Sequence, residues 1–254
     1  KKSLNIRSGI RFNQQTSLNF TFNESISSNI NGYNIDIRSI SRNYIAFGDY
    51  LSKGFPFTSW SFRLNGFNSI KALNKIIDTM SFEHALNGNQ NLSWKFDDEG
   101  FEPIKLMKIS SFDNDYNDYL QFSRISRSFS PLLGISTTFK NGISTNIRGN
   151  LVHTLDEVPN GMNHVTDSSI LSTFSYNFSK GIKFSIPFIE RNIFLKNNIN
   201  ISINFDVSNK KEEGSKDKIN FVEQNFSKMQ KSVIRITYSL TDDVTGSLFF
   251  AYRE

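Results

Sequence analysis

Residues 197–208 read Asn-Asn-Ile-Asn-Ile-Ser-Ile-Asn-Phe-Asp-Val-Ser, a strict alternation of apolar and polar side chains. A period of two residues predicts a β-strand, because successive side chains of a strand point to opposite faces. The polar side of this strand consists of short, mostly uncharged Asn and Ser, where a soluble sheet more often presents Lys, Glu and Thr to water. The pattern indicates a sheet with one apolar face and one face that lines an enclosed polar lumen.

The same alternation recurs along the chain, for example in residues 143–148 and 232–240. Strand-like segments follow one another almost without interruption: residues 4–12, 17–22, 32–37, 60–64, 80–86, 91–96, 121–126, 134–139, 143–151, 168–178, 182–186, 193–207, 231–240 and 247–252. Asn-Gly dipeptides, the strongest short-range hairpin signal, begin at Asn31, Asn65, Asn87, Asn141 and Asn160. Strands joined by tight turns are antiparallel, so the sequence predicts an all-β antiparallel meander.

Two segments carry more specific expectations. In residues 68–79 the apolar Ile70, Leu73 and Ile77 recur at three- and four-residue spacing after a capping-type Asn68 or Ser69, which predicts one short amphipathic helix near 68–79. We expect this helix to pack over a strand end or within the lumen. Residues 192–208 are expected to form one extended segment, longer than the about 9 to 11 residues that a tilted membrane crossing needs.

Composition limits the kind of protein. The chain has 254 residues and no linker-like stretch, so we expect residues 1–254 to form a single unit. It starts at Lys1 without Met, and we expect a segment that is incomplete at both ends. No apolar run approaches the about 18 residues of a spanning helix, so a membrane crossing would have to use strands. The chain contains no Cys, which excludes disulfides and cysteine metal sites.

Charge points away from nucleic acid as a partner. The net charge is +5, but the 29 Lys and Arg are dispersed among 24 Asp and Glu and form no basic stripe. The densest charged cluster, residues 210–218, mixes both signs around Gly214. We interpret this cluster as a solvated loop.

Signals for catalysis or metal binding are poor. The three histidines, His84, His153 and His164, have no paired spacing, and no hydrolase, nucleotide-binding or zinc-protease motif is present. Asp113, Asp115 and Asn117 match the first positions of an EF-hand loop. The loop then lacks the required Gly and the bidentate Glu. We therefore predict no catalytic, cofactor-binding or metal-binding residues, no cofactor, and a protein that is not an enzyme.

Some segments go beyond simple alternation. Residues 55–67 read Phe-Pro-Phe-Thr-Ser-Trp-Ser-Phe-Arg-Leu-Asn-Gly-Phe, residues 81–85 read Ser-Phe-Glu-His-Ala, and residues 129–135 read Phe-Ser-Pro-Leu-Leu-Gly-Ile, shortly before Lys140-Asn141-Gly142. This order resembles the carboxy-terminal barrel portion of the SprA/Sov family, the outer-membrane translocon of the type IX secretion system that is also tied to gliding motility. Phe67 and Leu86 depart from the family pattern, where a Leu and an aromatic residue stand.

The resemblance implies a wall segment of a very large transmembrane β-barrel in the cell outer membrane, through which folded proteins are exported. It implies outer-membrane lipid, secreted cargo proteins and other translocon subunits as partners. The apolar side chains would face lipid, and the Asn, Ser and Thr side chains would face the lumen. Two other hypotheses stay open from the residues alone: a complete, smaller outer-membrane porin or transporter barrel, and a soluble extracellular β-sandwich adhesin.

Overall fold

The computed structural model describes residues 2–29, 37–43, 45–46, 56–57, 59–67, 70–95, 120–178, 182–185, 192–195, 198–239 and 245–254. These residues form strands β1 to β15. In chain order they are Lys2–Asn13, Thr16–Asn29, Ile37–Asn43, Ile45–Ala46, Pro56–Phe57, Ser59–Asn65, Ile77–Lys95, Leu120–Phe139, Ile143–Val158, Gly161–Phe178, Ile182–Ser185, Asn192–Leu195, Ile199–Ser215, Val222–Ser239 and Thr245–Arg253. The protein is all-β, as the alternation predicts.

Eleven of the strands form one antiparallel sheet that is open, with β1 at one edge and β15 at the other. The order is β1, β2, β3, β7, β8, β9, β10, β13, β14 and β15, and β6 shares the position of β3 between β2 and β7. Neighbours in the sheet are thus almost always neighbours in the chain, which confirms the predicted meander. The pairs β4–β5 and β11–β12 form two separate two-stranded sheets.

One position of the sheet is shared by two short strands, β3 and β6, which lie end to end between β2 and β7. Asn43 of β3 pairs with Asn23, and Ser59 of β6 pairs with Thr21 two residues away on the same strand. Between these two pairs in the chain lie the short strands β4 and β5, which pair with each other. β3 and β6 together therefore continue the hydrogen bonding between β2 and β7.

Several predicted strands are longer than the sequence indicates. Residues 80–86 and 91–95 belong to one strand, β7, and residues 121–126 and 134–139 belong to β8, which passes through a bulge at residues 130–132. Asn87-Gly88, predicted as a turn, lies inside β7 and pairs with β8. The hairpin at Asn141-Gly142 is confirmed, with Gly142 at φ 88° between β8 and β9.

The predicted helix near 68–79 is wrong. Within residues 70–76 the chain makes successive hydrogen-bonded turns, in which Leu73 N–H donates to the Ile70 carbonyl and Ile77 N–H to the Leu73 carbonyl. Ile77 already begins β7. Among the described residues, no helix is long and apolar enough to cross a membrane.

Two further expectations need correction. Residues 192–208 do not form one strand, because β12 pairs with β11 in a separate hairpin and β13 begins at Ile199. Most of the charged cluster 210–218 is strand rather than loop: Lys210 to Ser215 pair with β10 as the end of β13. Opposite charges stand two residues apart on the same side of this strand, so they form ion pairs that remain compatible with the ladder.

Candidate functional site

The register divides the sheet into two chemically different faces. Cross-strand partners in an antiparallel pair project to the same side. Ile201 pairs with Tyr176 and Ile236, and the neighbouring Ser202 pairs with Ser175 and Arg235. We call the side of Ile201 the apolar face and the side of Ser202 the polar face. The alternation seen within single strands therefore continues from strand to strand.

On the polar face, short side chains bond to one another across the strands. The Oγ atoms of Ser144 and Ser175 lie 2.6 Å apart, and Thr173 Oγ1 donates to Asn204 Oδ1 at 2.9 Å. Asn150 Nδ2 donates to Ser169 Oγ at 3.1 Å. Such pairs satisfy polar groups locally and hold the face in a defined arrangement.

A charged row crosses the polar face from one edge of the sheet to the other. Its members are successive cross-strand partners, one from each position of the sheet: Arg11, Ser17, Arg63, Glu83, Gly134, Arg148, Leu171, Asp206, Lys231 and Arg253. Most members are charged and the basic ones predominate. The sequence expectation of a mostly uncharged polar face holds for β13 and fails for this row.

The centre of the charged row is an ion-paired trio. Glu83 bonds Arg63 at 2.7 Å on one side and Arg148 at 3.0 Å on the other. Arg148 lies two strands away from Glu83, with Gly134 between them in the register. Because glycine has no side chain, the Arg148 guanidinium can pass over β8. A Cβ at this position would stand 3.1 Å from Cγ of Pro131 and 3.4 Å from Cβ of Glu83.

The contacts of His84 give it a structural role. Its ring lies between the rings of Trp60 and Phe129, at centroid distances of 6.4 and 6.0 Å. Its Nδ1 lies 2.7 Å from the carbonyl oxygen of Leu132 in the β8 bulge. A carbonyl only accepts, so Nδ1 is the donor. The histidine thus satisfies a carbonyl that the bulge removes from the ladder.

The structure brings His153 and His164 together, although their spacing in the sequence suggests no pair. Their rings stack at 5.7 Å, and His164, only 3% exposed, approaches Glu213 at 3.2 Å. Burial, followed by the nearby His164 and Arg127, lowers the pKa of His153 below its ordinary value. Among the described residues, no three His, Asp or Glu side chains form a group that could hold a metal ion.

Charged groups also organise the neighbouring loop between β13 and β14. The Asp217 carboxylate accepts hydrogen bonds from the backbone N–H groups of Asn220 (2.8 Å) and Ile219 (3.0 Å) and from Ser215 Oγ (2.8 Å). These donors, the Asn220 N–H above all, lower the pKa of Asp217 far below its usual range. The carboxylate therefore caps the loop in its ionised form.

The apolar face is uncovered over a broad band. Side chains more than a third exposed lie on β1 at one edge and on β8, β9, β10, β13, β14 and β15 toward the other: Leu4, Ile6, Ile10, Leu133, Ile147, Ile170, Phe174, Phe205, Ile234, Leu248, Phe250 and Tyr252. We call this part of the apolar face the apolar band. A contiguous exposed apolar surface of this kind marks contact with lipid or with another protein.

Toward the turn at residues 159–160, the apolar face changes character. We call this end, residues 88–95, 120–128, 152–167, 209–215 and 222–229, the projecting part. Here Val207 of β13 is followed on the same face by Asn209, Lys211 and Glu213. The preceding segment, residues 199–207, presents only apolar side chains on this face. Its length is close to the about 9 to 11 residues of a tilted membrane crossing.

The apolar band runs diagonally across the charged row. On β1, the side chains of Leu4, Ile6 and Ile10 lie on the 159–160 side of the row. On β9, Ile147 and Leu151 stand on opposite sides of it. The apolar-band residues Ile234 of β14 and Phe250 of β15 lie on the far side of the row, toward the turn at residues 140–142. The exposed Val222 and Phe226 of β14 lie on the 159–160 side, outside the band. The band therefore lies on opposite sides of the charged row at the two edges of the sheet.

One group of sequence candidates cannot be compared with the site. The EF-hand-like residues Asp113, Asp115 and Asn117 lie outside the described residues. The residues that sequence reasoning missed are Arg63 and Glu83, because their partnership depends on the register of four strands. A signal was present in Arg148 and Arg235, which alternate with apolar residues and so already stand on the predicted polar side.

Comparison of the chain with protein-family models and with curated proteins gives no match. The class of protein therefore rests on the fold and the site: an open antiparallel sheet with an uncovered apolar face and a polar face crossed by charges.

Proposed function

We propose that this chain is a wall segment of a transmembrane β-barrel in the outer membrane, and that the barrel is a protein-exporting translocon of the kind implied by the SprA/Sov resemblance. The observation that carries the barrel is the diagonal course of the apolar band. Strands of membrane barrels are tilted by about 35 to 45°. A band at constant membrane depth must therefore shift along successive strands, as the apolar band does.

The faces support the same proposal. Lipid replaces the missing cover of the apolar band, and a wet lumen solvates the charged row at the same depth. A charge buried in hydrocarbon would be costly, so Glu83 and its two arginines require water or protein on their side. The translocon assignment rests on the resemblance in residues 55–142, and the partners are outer-membrane lipid, exported proteins and other translocon subunits.

Cysteine scanning along β13 tests the membrane orientation, because the chain has no native Cys. Single cysteines replace Ile201 and Ile203 on the apolar face and Ser202 and Asn204 on the polar face of the protein in its native membrane. We expect a bilayer-resident thiol reagent to label the first pair and a small water-soluble reagent to label the second. Equal labelling of all four positions by the water-soluble reagent would contradict the proposal and favour a soluble sheet.

A complete, smaller barrel is the second candidate, favoured by one observation. The sheet has an even number of antiparallel positions, so β1 and β15 run antiparallel to each other and could pair directly. Disulfide cross-linking of Phe250→Cys with cysteines placed at successive positions of β1 separates the two candidates. The smaller barrel predicts one strongly cross-linked pair, whereas a wall segment predicts none.

Export is tested in the producing cell. Depletion of the protein is expected to leave secreted proteins in the periplasm while the outer membrane stays intact. Unchanged secretion together with loss of uptake of a small nutrient would overturn the translocon and favour a porin.

A further inference from the structure

Positive charge predominates on the polar face beside the apolar band. The basic residues there are Arg7, Arg11, Arg63, Arg148, Lys231, Arg235 and Arg253, against the acidic Glu83 and Asp206. The dispersed charge of the sequence hides this excess, because many of the described acidic residues lie in the projecting part. The register is what gathers the basic ones.

Internal pairing does not neutralise these cations. Glu83 is shared by two guanidinium groups, so the trio keeps a net positive charge. The side chains of Arg63 and Arg148 remain 61% and 47% exposed. Within the described part of the chain, no ion pair engages Arg7, Arg11 or Arg235. Their donors remain available to a ligand on the polar face.

Two hollows lie along the charged row. One, of about 410 Å³, is lined by the trio together with Ser17, Asn19 and Pro131. The other, of about 480 Å³, is lined by charged and polar side chains, Asp206, Lys231, Arg235, Asn204 and Thr173, and also by apolar ones, including Leu171, Val233 and Phe249. Each hollow combines cationic groups with short hydrogen-bonding side chains, which suits a carboxylate attached to a chain.

We propose that the charged row binds acidic polypeptide segments, whose carboxylates pair with its guanidinium and ammonium groups. Guanidinium matches carboxylate geometry with two parallel hydrogen bonds. The cations are spread over sheet positions about 4.8 Å apart. A polypeptide with carboxylates spaced along its length can engage several of them together, whereas a small anion engages one. The inference deepens the proposed function, since the polar face would then meet exported chains.

Peptide binding to the full chain in detergent tests the inference without requiring a conducting barrel. The probe is a short fluorescent peptide of alternating Asp and Ser, compared with Lys-Ser and Asn-Ser peptides of the same length. We expect fluorescence anisotropy to report binding of the acidic peptide alone, and the affinity to fall as salt is raised. The double variant Arg11→Gln, Arg235→Gln should bind it about tenfold more weakly.

The matched control removes the same charge elsewhere. Lys216→Gln, Lys228→Gln changes the loop and the projecting part and leaves the charged row intact. An equal loss of affinity in both double variants, or no preference for the acidic peptide, would overturn the inference. Equal binding of a single-stranded oligonucleotide of the same charge would also overturn it, because the charged row would then bind polyanions in general and not acidic polypeptides in particular. None of these results depends on the lipid-labelling experiment, so the two proposals fail separately.

Discussion

The apolar band and the projecting part share the strands β8, β9, β10, β13 and β14, yet they differ in how far their apolar side chains are exposed. In the projecting part, Ile125 and Leu155 are each 5% exposed and Leu92 is equally buried. In the apolar band, Leu248 and Phe250 are 66% and 65% exposed. The projecting part covers these three apolar side chains, although Val158, Val222 and Phe226 at its edge stay exposed. The apolar band has no such cover, which is what a surface adapted to lipid requires.

The largest effect on stability is expected when the same charge is placed on either face of β13 at the same membrane depth. Ile201→Arg places a charge in the apolar band and should reduce the stability of the inserted protein by about 2 to 4 kcal/mol. Ser202→Arg adds the same charge to the polar face, beside Arg235, and should cost much less. Urea unfolding in lipid vesicles measures both. Equal losses would mean that the assignment of the faces is wrong.

A second pair of variants compares two glycines in neighbouring rows. Gly134→Val on the polar face should cost about 1 to 3 kcal/mol, because the added atoms meet Pro131 and Glu83 and separate Glu83 from Arg148. Gly149→Val on the apolar face has open space, with only the Leu133 carbonyl oxygen near, at 3.9 Å. It should be neutral or slightly stabilising. The same unfolding measurement decides, and a costlier Gly149→Val would contradict the trio's role.

Acid should loosen the projecting part before it affects the apolar band. The pKa of His153 is lowered in the folded protein from an ordinary value of 6.5. The unfolded chain therefore takes up the proton first, and stability is lost as pH falls below that value. Between about pH 7.5 and about pH 5.5, amides of β9 and β10 near His153 should lose protection from hydrogen exchange.

The control for this prediction is internal. Amides of β1 and β2, whose strands contain no histidine, should keep their protection over the same range. His153→Gln should remove most of the pH dependence. If the variant retains it in full, His153 is not the responsible group.

The smallest effect is confined to the loop between β13 and β14. Asp217→Asn removes the charge that attracts the backbone N–H groups, so the amides of Ile219 and Asn220 should exchange faster. Because the pKa of Asp217 is lowered from 3.8 in the folded protein, its contribution is present above that pH and is lost only in stronger acid. Asp167→Asn, a change of equal charge on β10, should leave the loop amides unaffected.

Much of the sheet can be predicted from the sequence because its information is local. Alternation in residues 4–12 and 143–151 marks β1 and β9, and Gly142 supplies the positive φ that the turn between β8 and β9 requires. The alternation does not predict the polar ends of β10, β13 and β14, because apolar residues do not recur at every second position there. Their pairing comes from neighbouring strands rather than from their own composition.

By itself, the sequence determined the strand period, the two chemically different faces of the sheet and the antiparallel order. Each of these follows from residues within one or two strands, where side-chain direction alternates with position. Only the tertiary structure decided the shared position of β3 and β6, the charged row, the trio around Glu83 and the diagonal apolar band. These depend on register between strands far apart in the chain, and a shift of a single residue would place every side chain of a strand on the other face.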